Sequence, residues 1–145
     1  MAANAVLEQP EQMVVFRLNS ESYCIDIFQV HEIIRMREIT PAPGTAPHIK
    51  GLINLRGKTI PVVDLSMQLG FEGSELGNDT RIIVVEGGHG NVGLVVDAVQ
   101  EVVTLQPSAV DATPPLVETD VLDLVRGVAK HEMGIITLLN LDQII

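Results

Sequence analysis

The chain has 145 residues, 46% of them hydrophobic, and nine basic against nineteen acidic residues leave a net charge of -10. That length suits one compact unit or two very small subdomains, while the acidic balance repels a phosphate backbone and three Phe, one Tyr and no Trp leave little to stack on bases. No run reaches the ~18 to 20 apolar residues of a membrane-spanning helix, "MAANAVLEQPEQ" lacks the basic flank and apolar stretch of a signal peptide, and the lone Cys24 excludes an internal disulfide; the expectation is a cytoplasmic protein without nucleic-acid partners or membrane insertion.

Val- and Ile-rich runs, punctuated by twelve Gly and eight Pro, favour many short strands over long helices. "VVFRL" (14–18) is the first predicted strand, "NSES" (19–22) a polar turn, and "IDIFQV" (25–30) a second extended run that breaks near Phe28-Gln29 before "HEII". "GLINL" (51–55), the turn "RGK" and "TIPVVDL" (59–65) make a hairpin in which Pro61 implies an edge position or a bulge. "RIIVV" (81–85) leads into "GGHGN" and then "VGLVVDAVQEVV" (92–103), whose valines also fit helical spacing but whose β-branching favours extended chain, broken near Asp97-Ala98. After the Pro-rich "PSAVDATPPLVETDV" come "GVAKH" (127–131), the turn "EMG" and "IITLLNL" (135–141), with Gly57 and Gly134 easing the two hairpin turns.

From Gly88 to Gly93 the chain spells G-x-G-x-x-G, with Asp111 downstream where an acidic residue could meet a ribose. The motif binds a dinucleotide only where a strand enters it and a helix leaves it. An internal repeat argues against that context. Residues 14 to 34 lie over residues 83 to 103 at a constant offset of 69, apolar upon apolar, and residues 50 to 65 lie over residues 126 to 141 at an offset of 76. The counterpart of the glycine loop is then "NSESYC", which holds no glycine. Each half reads as strand, turn, strand, a short step, strand, a connection and a hairpin. About five short strands per half suit a small barrel that hides its edges, and a pair of such barrels shares a larger core than one alone.

Constellations for catalysis are sparse. His31-Glu32 and His131-Glu132 each begin H-E-x-x-H, but Arg35 and Ile135 stand where the second His is needed. His48 and His89 are far apart in sequence and read as solvated or turn residues, and Ser20, Ser22, Ser66, Ser74 and Ser108 lack a nucleophile elbow. Asp120 and Asp123 fit a short helix capped by Thr119 or Asp120. Cys24 reads as a small buried hydrophobe. No metal, no cofactor and no enzymatic activity are expected. Arg56 stands out: a guanidinium on a rigid hairpin, preceded by Asn54 and followed by Gly57, can grip a partner's carboxylate with two hydrogen bonds. The plain alternative is a solvated turn arginine.

Three segments, "YCIDIFQVHEI", "PHIKGLINLRGKTIPVVDL" and "VGLVVDAVQEVV", resemble the signature stretches of the CheW family of chemotaxis adaptors, and the likeness runs from about residue 12 to residue 143. The resemblance implies an all-β fold of two five-stranded SH3-like β-barrel subdomains related by internal duplication, with at most short helices. One CheW-like domain would fill the chain, with subdomains at about 12–80 and 81–143 and an exchange of strands at their boundary left open. It implies a non-catalytic scaffold joining the cytoplasmic tip of methyl-accepting chemotaxis proteins to the regulatory domain of the histidine kinase CheA, with other CheW-like domains of the array as further partners. By motif match the receptor groove would use Val30, Ile33, Arg56, Gly57, Val96 and Val99, Arg56 either touching the receptor or bracing the groove. Plain core is the alternative for the four valine and isoleucine positions. The kinase face would use Ile39, Pro41, Ile49, Lys50 and Gly51. His131, Glu132 and Met133 depart from a weakly defined family loop. Other readings are an adaptor of a different array, such as one controlling type IV pili, or a nucleotide-binding enzyme built on the Gly88–Gly93 loop.

Overall fold

The computed structural model describes residues 6–73, 76–87, 90–112, 124–132 and 134–144. The expected helix cap at Thr119 or Asp120, the carboxylate of Asp123, and Ser74, Gly88, His89 and Met133 lie outside the described residues.

The strands in chain order are β1 (Glu11–Leu18), β2 (Glu21–Asp26), β3 (Val30–Arg35), β4 (Ile49–Leu55), β5 (Lys58–Asp64), β6 (Arg81–Gly87), β7 (Gly90–Val96), β8 (Ala98–Leu105), β9 (Val110–Asp111), β10 (Val125–His131) and β11 (Gly134–Leu139). Two single-turn helices, α1 (Leu65–Gln68) and α2 (Leu141–Ile144), follow β5 and β11. Asp64 ends β5 and caps α1 by accepting the Met67 N–H. One sheet runs β8-β1-β2-β11-β10-β9 and the other β3-β6-β7-β5-β4. The expectation of five strands holds for the second sheet; the first gains the two-residue β9.

The duplication is written in the registers. Val14 faces Ile25 across β1 and β2, and Ile83 faces Leu94 across β6 and β7, each position 69 residues on. Ile53 pairs with Ile60, and 76 residues later Ala129 pairs with Ile136. Bulges recur too, between Ile49 and Gly51 and again between Val125 and Gly127. A cut at residue 80 does not separate the sheets. The β1–β2 hairpin sits beside β11 and β8 of the second half, and the β6–β7 hairpin sits between β3 and β5 of the first.

Side-chain alternation explains why the halves lock together. In β1, Met13 and Val15 point into a core lined by all six strands of the first sheet, while Val14, Phe16 and Leu18 point the other way. In β6, Ile82 and Val84 enter the core of the second sheet, while Ile83 and Val85 join the Val14 side. The result is one interior core per sheet and a third, shared core between them, closed by Leu65, Leu141 and Ile144 of the two helices. Cutting the chain in two would expose that shared face.

β5 as a whole lies between β7 and β4, yet Pro61 keeps the expected edge position. Pairing with β7 begins only at Val62, so Pro61 meets Leu52 alone. Counting from the two-residue turn, Leu52 and Pro61 form a non-hydrogen-bonded pair, and the missing N–H removes nothing from the ladder.

Cys24 is fully buried in the first sheet's core, and burial pushes its thiol up to about 12. It is expected to resist a thiol reagent at pH 8 in the native protein and to react at once in denaturant. Fast labelling of the native chain would contradict this placement.

Candidate functional site

The hairpin between β4 and β5 closes on two residues, since Leu55 pairs with Lys58. Both turn residues have positive φ, 52° at Arg56 and 84° at Gly57, the requirement of a type I′ turn. Glycine takes that conformation freely, whereas a side-chain-bearing residue there costs about 1 kcal/mol. Three ties hold the arginine in place. The Gly57 N–H donates to Asn54 Oδ1 at 2.9 Å, and Arg37 Nη1 donates to the Asn54 carbonyl at 3.2 Å. The guanidinium itself forks the Glu32 carboxylate, Nη1 to Oε2 at 2.5 Å and Nη2 to Oε1 at 2.8 Å. In the chain itself the Arg56 fork is filled by Glu32, while the arginine side chain stays 70% exposed.

The Arg56 hydrogen bond holds the Glu32 carboxyl below the usual carboxylate range, and Glu32 in turn raises Arg56. A depressed carboxyl stabilises the fold above its unfolded pKa and loses that contribution as pH falls through its folded one. In Arg56→Ala the Glu32 carboxyl, followed by NMR, is expected to titrate at higher pH than in the wild type. An unmoved midpoint would mean that the pair does not persist in solution.

Glu32 ties Arg56 to β3, the strand that also carries Val30 and Ile33, and alternation sends the Ile33 side chain to the face of β3 opposite Glu32. Val30 is partly buried against the shared core. Ile33, opposite Ile83, is 42% exposed on the edge strand β3. Val99 is likewise half-buried against the shared core, on the edge strand of the other sheet. Val96 corrects the expected groove: it is fully buried in the shared core and offers no surface to a partner. Sequence reasoning missed Val102, 51% exposed opposite Val14, at the position equivalent to Ile33. The offset of 69 already set the two over each other.

On the expected kinase face, Thr40 bridges Leu52, with two backbone hydrogen bonds of 2.8 Å, and so carries Ile39 and Pro41 to β4. Pro41 and Lys50 are exposed. Ile39 packs against the second sheet's core, and Ile49 against the shared one. Gly51 is corrected from contact to support: it is buried at φ 145°, and a Cβ there would lie 2.1 Å from the Thr40 carbonyl oxygen.

The glycine motif is resolved by its neighbours. Strand follows strand, Gly87 pairs with Gly90, and Gly93 lies inside β7, where a Cβ would press within 2.8 Å of Ile82. No helix follows to receive a pyrophosphate, so the dinucleotide reading is withdrawn. Among the described residues no group of three His, Cys, Asp or Glu side chains could hold a metal.

Two sheets fused through a shared core, each showing an aliphatic side chain on an edge strand, offer surfaces on which a protein partner can dock. The CheW-like domain model matches residues 12–145. The chain is 31% identical to the chemotaxis protein CheW of Bacillus subtilis, over 97% of this chain and 90% of the relative. It is 32% identical to that of Rhizobium meliloti, over 99% and 92%. The crystal structure of scaffolding protein TtCheW from Thermoanaerobacter tengcongensis superposes with a TM-score of 0.84 at 40% identity, covering 94% of this chain and 88% of that one. The chain belongs to the CheW-like domain family and is a chemotaxis scaffolding protein, not an enzyme.

Proposed function

We propose that this scaffold couples the cytoplasmic tip of methyl-accepting chemoreceptors to the regulatory domain of the histidine kinase CheA. The observation that carries the receptor half is Ile33, a large aliphatic side chain exposed on the edge strand β3, whose position the Glu32–Arg56 fork helps fix from the strand's other face. An amphipathic helix docks its apolar stripe on such a surface, and Val30 supplies a half-buried floor. Arg56 orients the edge. For the kinase, the exposed Pro41 and Lys50 form the contact, and Thr40 with Gly51 fixes their backbone. No described helix is long and apolar enough to cross a membrane, and recruitment to a receptor array would place the protein at the membrane through its partners. Sedimentation of receptor-bearing membranes tests the reading: the chain should pellet with receptors and draw purified kinase into the pellet. Kinase pelleting equally well without the chain would contradict it.

A further inference from the structure

The second sheet closes along a line where two side-chain contacts and one backbone bridge, not a continuous ladder, join β3 and its extension to β4 and its turn. Glu32 meets Arg56, Arg37 meets the Asn54 carbonyl, and Thr40 bridges Leu52. Residues 32–40 and 50–58, which form this seam, contain five basic residues and two acidic ones, in a chain whose net charge is -10. All five cations, Arg35, Arg37, Lys50, Arg56 and Lys58, are exposed. Glu32 forks Arg56 and also lies in the field of Arg37, and among the described residues no carboxylate makes an ion-pair contact with Arg35, Arg37, Lys50 or Lys58.

The duplication provides an internal control on what the fold itself requires. At the equivalent positions the second half has Thr104, Gln106, Arg126, Glu132 and Gly134. The strand registers match, yet four of the five cations are absent, one of them reversed in sign. The surviving one, Arg126, turns to Glu11 at 3.5 Å and is mostly covered. The cations of the first seam are thus not needed to build a sheet of this kind.

We propose that Arg35, Arg37, Lys50 and Lys58 form an electrostatic docking face for a carboxylate-rich protein surface, and, resting on the coupling reading above, that this surface belongs to the kinase. Lys50 makes the seam continuous with the Pro41 contact. A long polyanion is disfavoured, because the remainder of the chain carries all of the net negative charge and more, and would repel a phosphate backbone or an anionic bilayer extending past the seam. A local acidic face on a folded partner meets only the cations.

Association of the full chain with purified full-length kinase, followed by stopped flow at low and high salt, tests the face. The wild-type association rate should fall about tenfold from 50 to 300 mM salt. The triple variant Arg35→Gln, Arg37→Gln, Lys50→Gln, with an unchanged circular dichroism spectrum, should associate about tenfold more slowly at low salt and respond little to added salt. Lys130→Gln, on an exposed position of the second half, should behave as wild type. Kinase binding that is insensitive to salt and to the triple variant would overturn the docking face while leaving the coupling reading intact. No kinase binding at any salt would sink both. Tighter salt-dependent binding to a DNA duplex or to phosphatidylglycerol vesicles than to the kinase would overturn the choice of partner.

Discussion

Gly51→Ala is expected to lower the unfolding free energy by about 3 kcal/mol, which for a chain of this size moves the thermal midpoint down by about 10 °C. Two costs combine. The backbone sits at φ 145°, where a side chain is strained, and the new Cβ would need the space held by the Thr40 carbonyl oxygen 2.1 Å away. Since that oxygen belongs to backbone, the segment at 39–41 must lift and give up both Thr40–Leu52 hydrogen bonds. Kinase coupling should fall with stability, because Pro41 moves with Thr40. Gly57→Ala offers the contrast: nothing lies within 4 Å of its Cβ, so only the positive φ is penalised, at about 1 kcal/mol. Thermal denaturation of the two variants side by side checks the ranking, and equal midpoints would contradict it.

Ile33→Asp is expected to weaken receptor association by about 30-fold, near 2 kcal/mol, while costing less than about 1 kcal/mol of stability. Ile33 is exposed enough for a carboxylate to stay in water in the free protein, but a docked helix would have to bury it. Val102→Asp on the equivalent strand tells whether both sheet edges take part. Val96→Asp should behave differently: a charge placed in the shared core destabilises the whole fold, so any loss of coupling there would accompany unfolding. Titrating the Ile33 variant against receptor-bearing membranes, with its thermal midpoint measured in parallel, separates the two effects. Wild-type affinity would remove Ile33 from the receptor face.

The element order and the duplication were legible because hairpins are local. Each turn, whether Asn19-Ser20 or Arg56-Gly57, is encoded within a few residues, and a repeat that preserves register must preserve its apolar spacing. Partner strands were not legible. Nothing near β1 says that β8 of the other half flanks it, because that pairing depends on the shared core. Val96 was misassigned for a related reason: β7 is buried on both faces, Val95 toward one core and Leu94 with Val96 toward another, and a strand covered on both sides shows no polar alternation. Glu32 lay in plain view between Val30 and Ile33, but no spacing rule links it to Arg56, 24 residues away. Gly51 looked like part of a recognition motif, and only the position of Thr40 shows that its lack of a side chain makes room for backbone.

Autophosphorylation of the kinase, reconstituted with receptor-bearing membranes and ATP with and without this chain, tests coupling most directly. The rate should rise several-fold only when receptors, kinase and the folded chain are all present, and Ile33→Asp should remove most of that increase. A kinase rate that is the same with and without the chain, at concentrations where the chain is folded and sediments with receptors, would contradict the account.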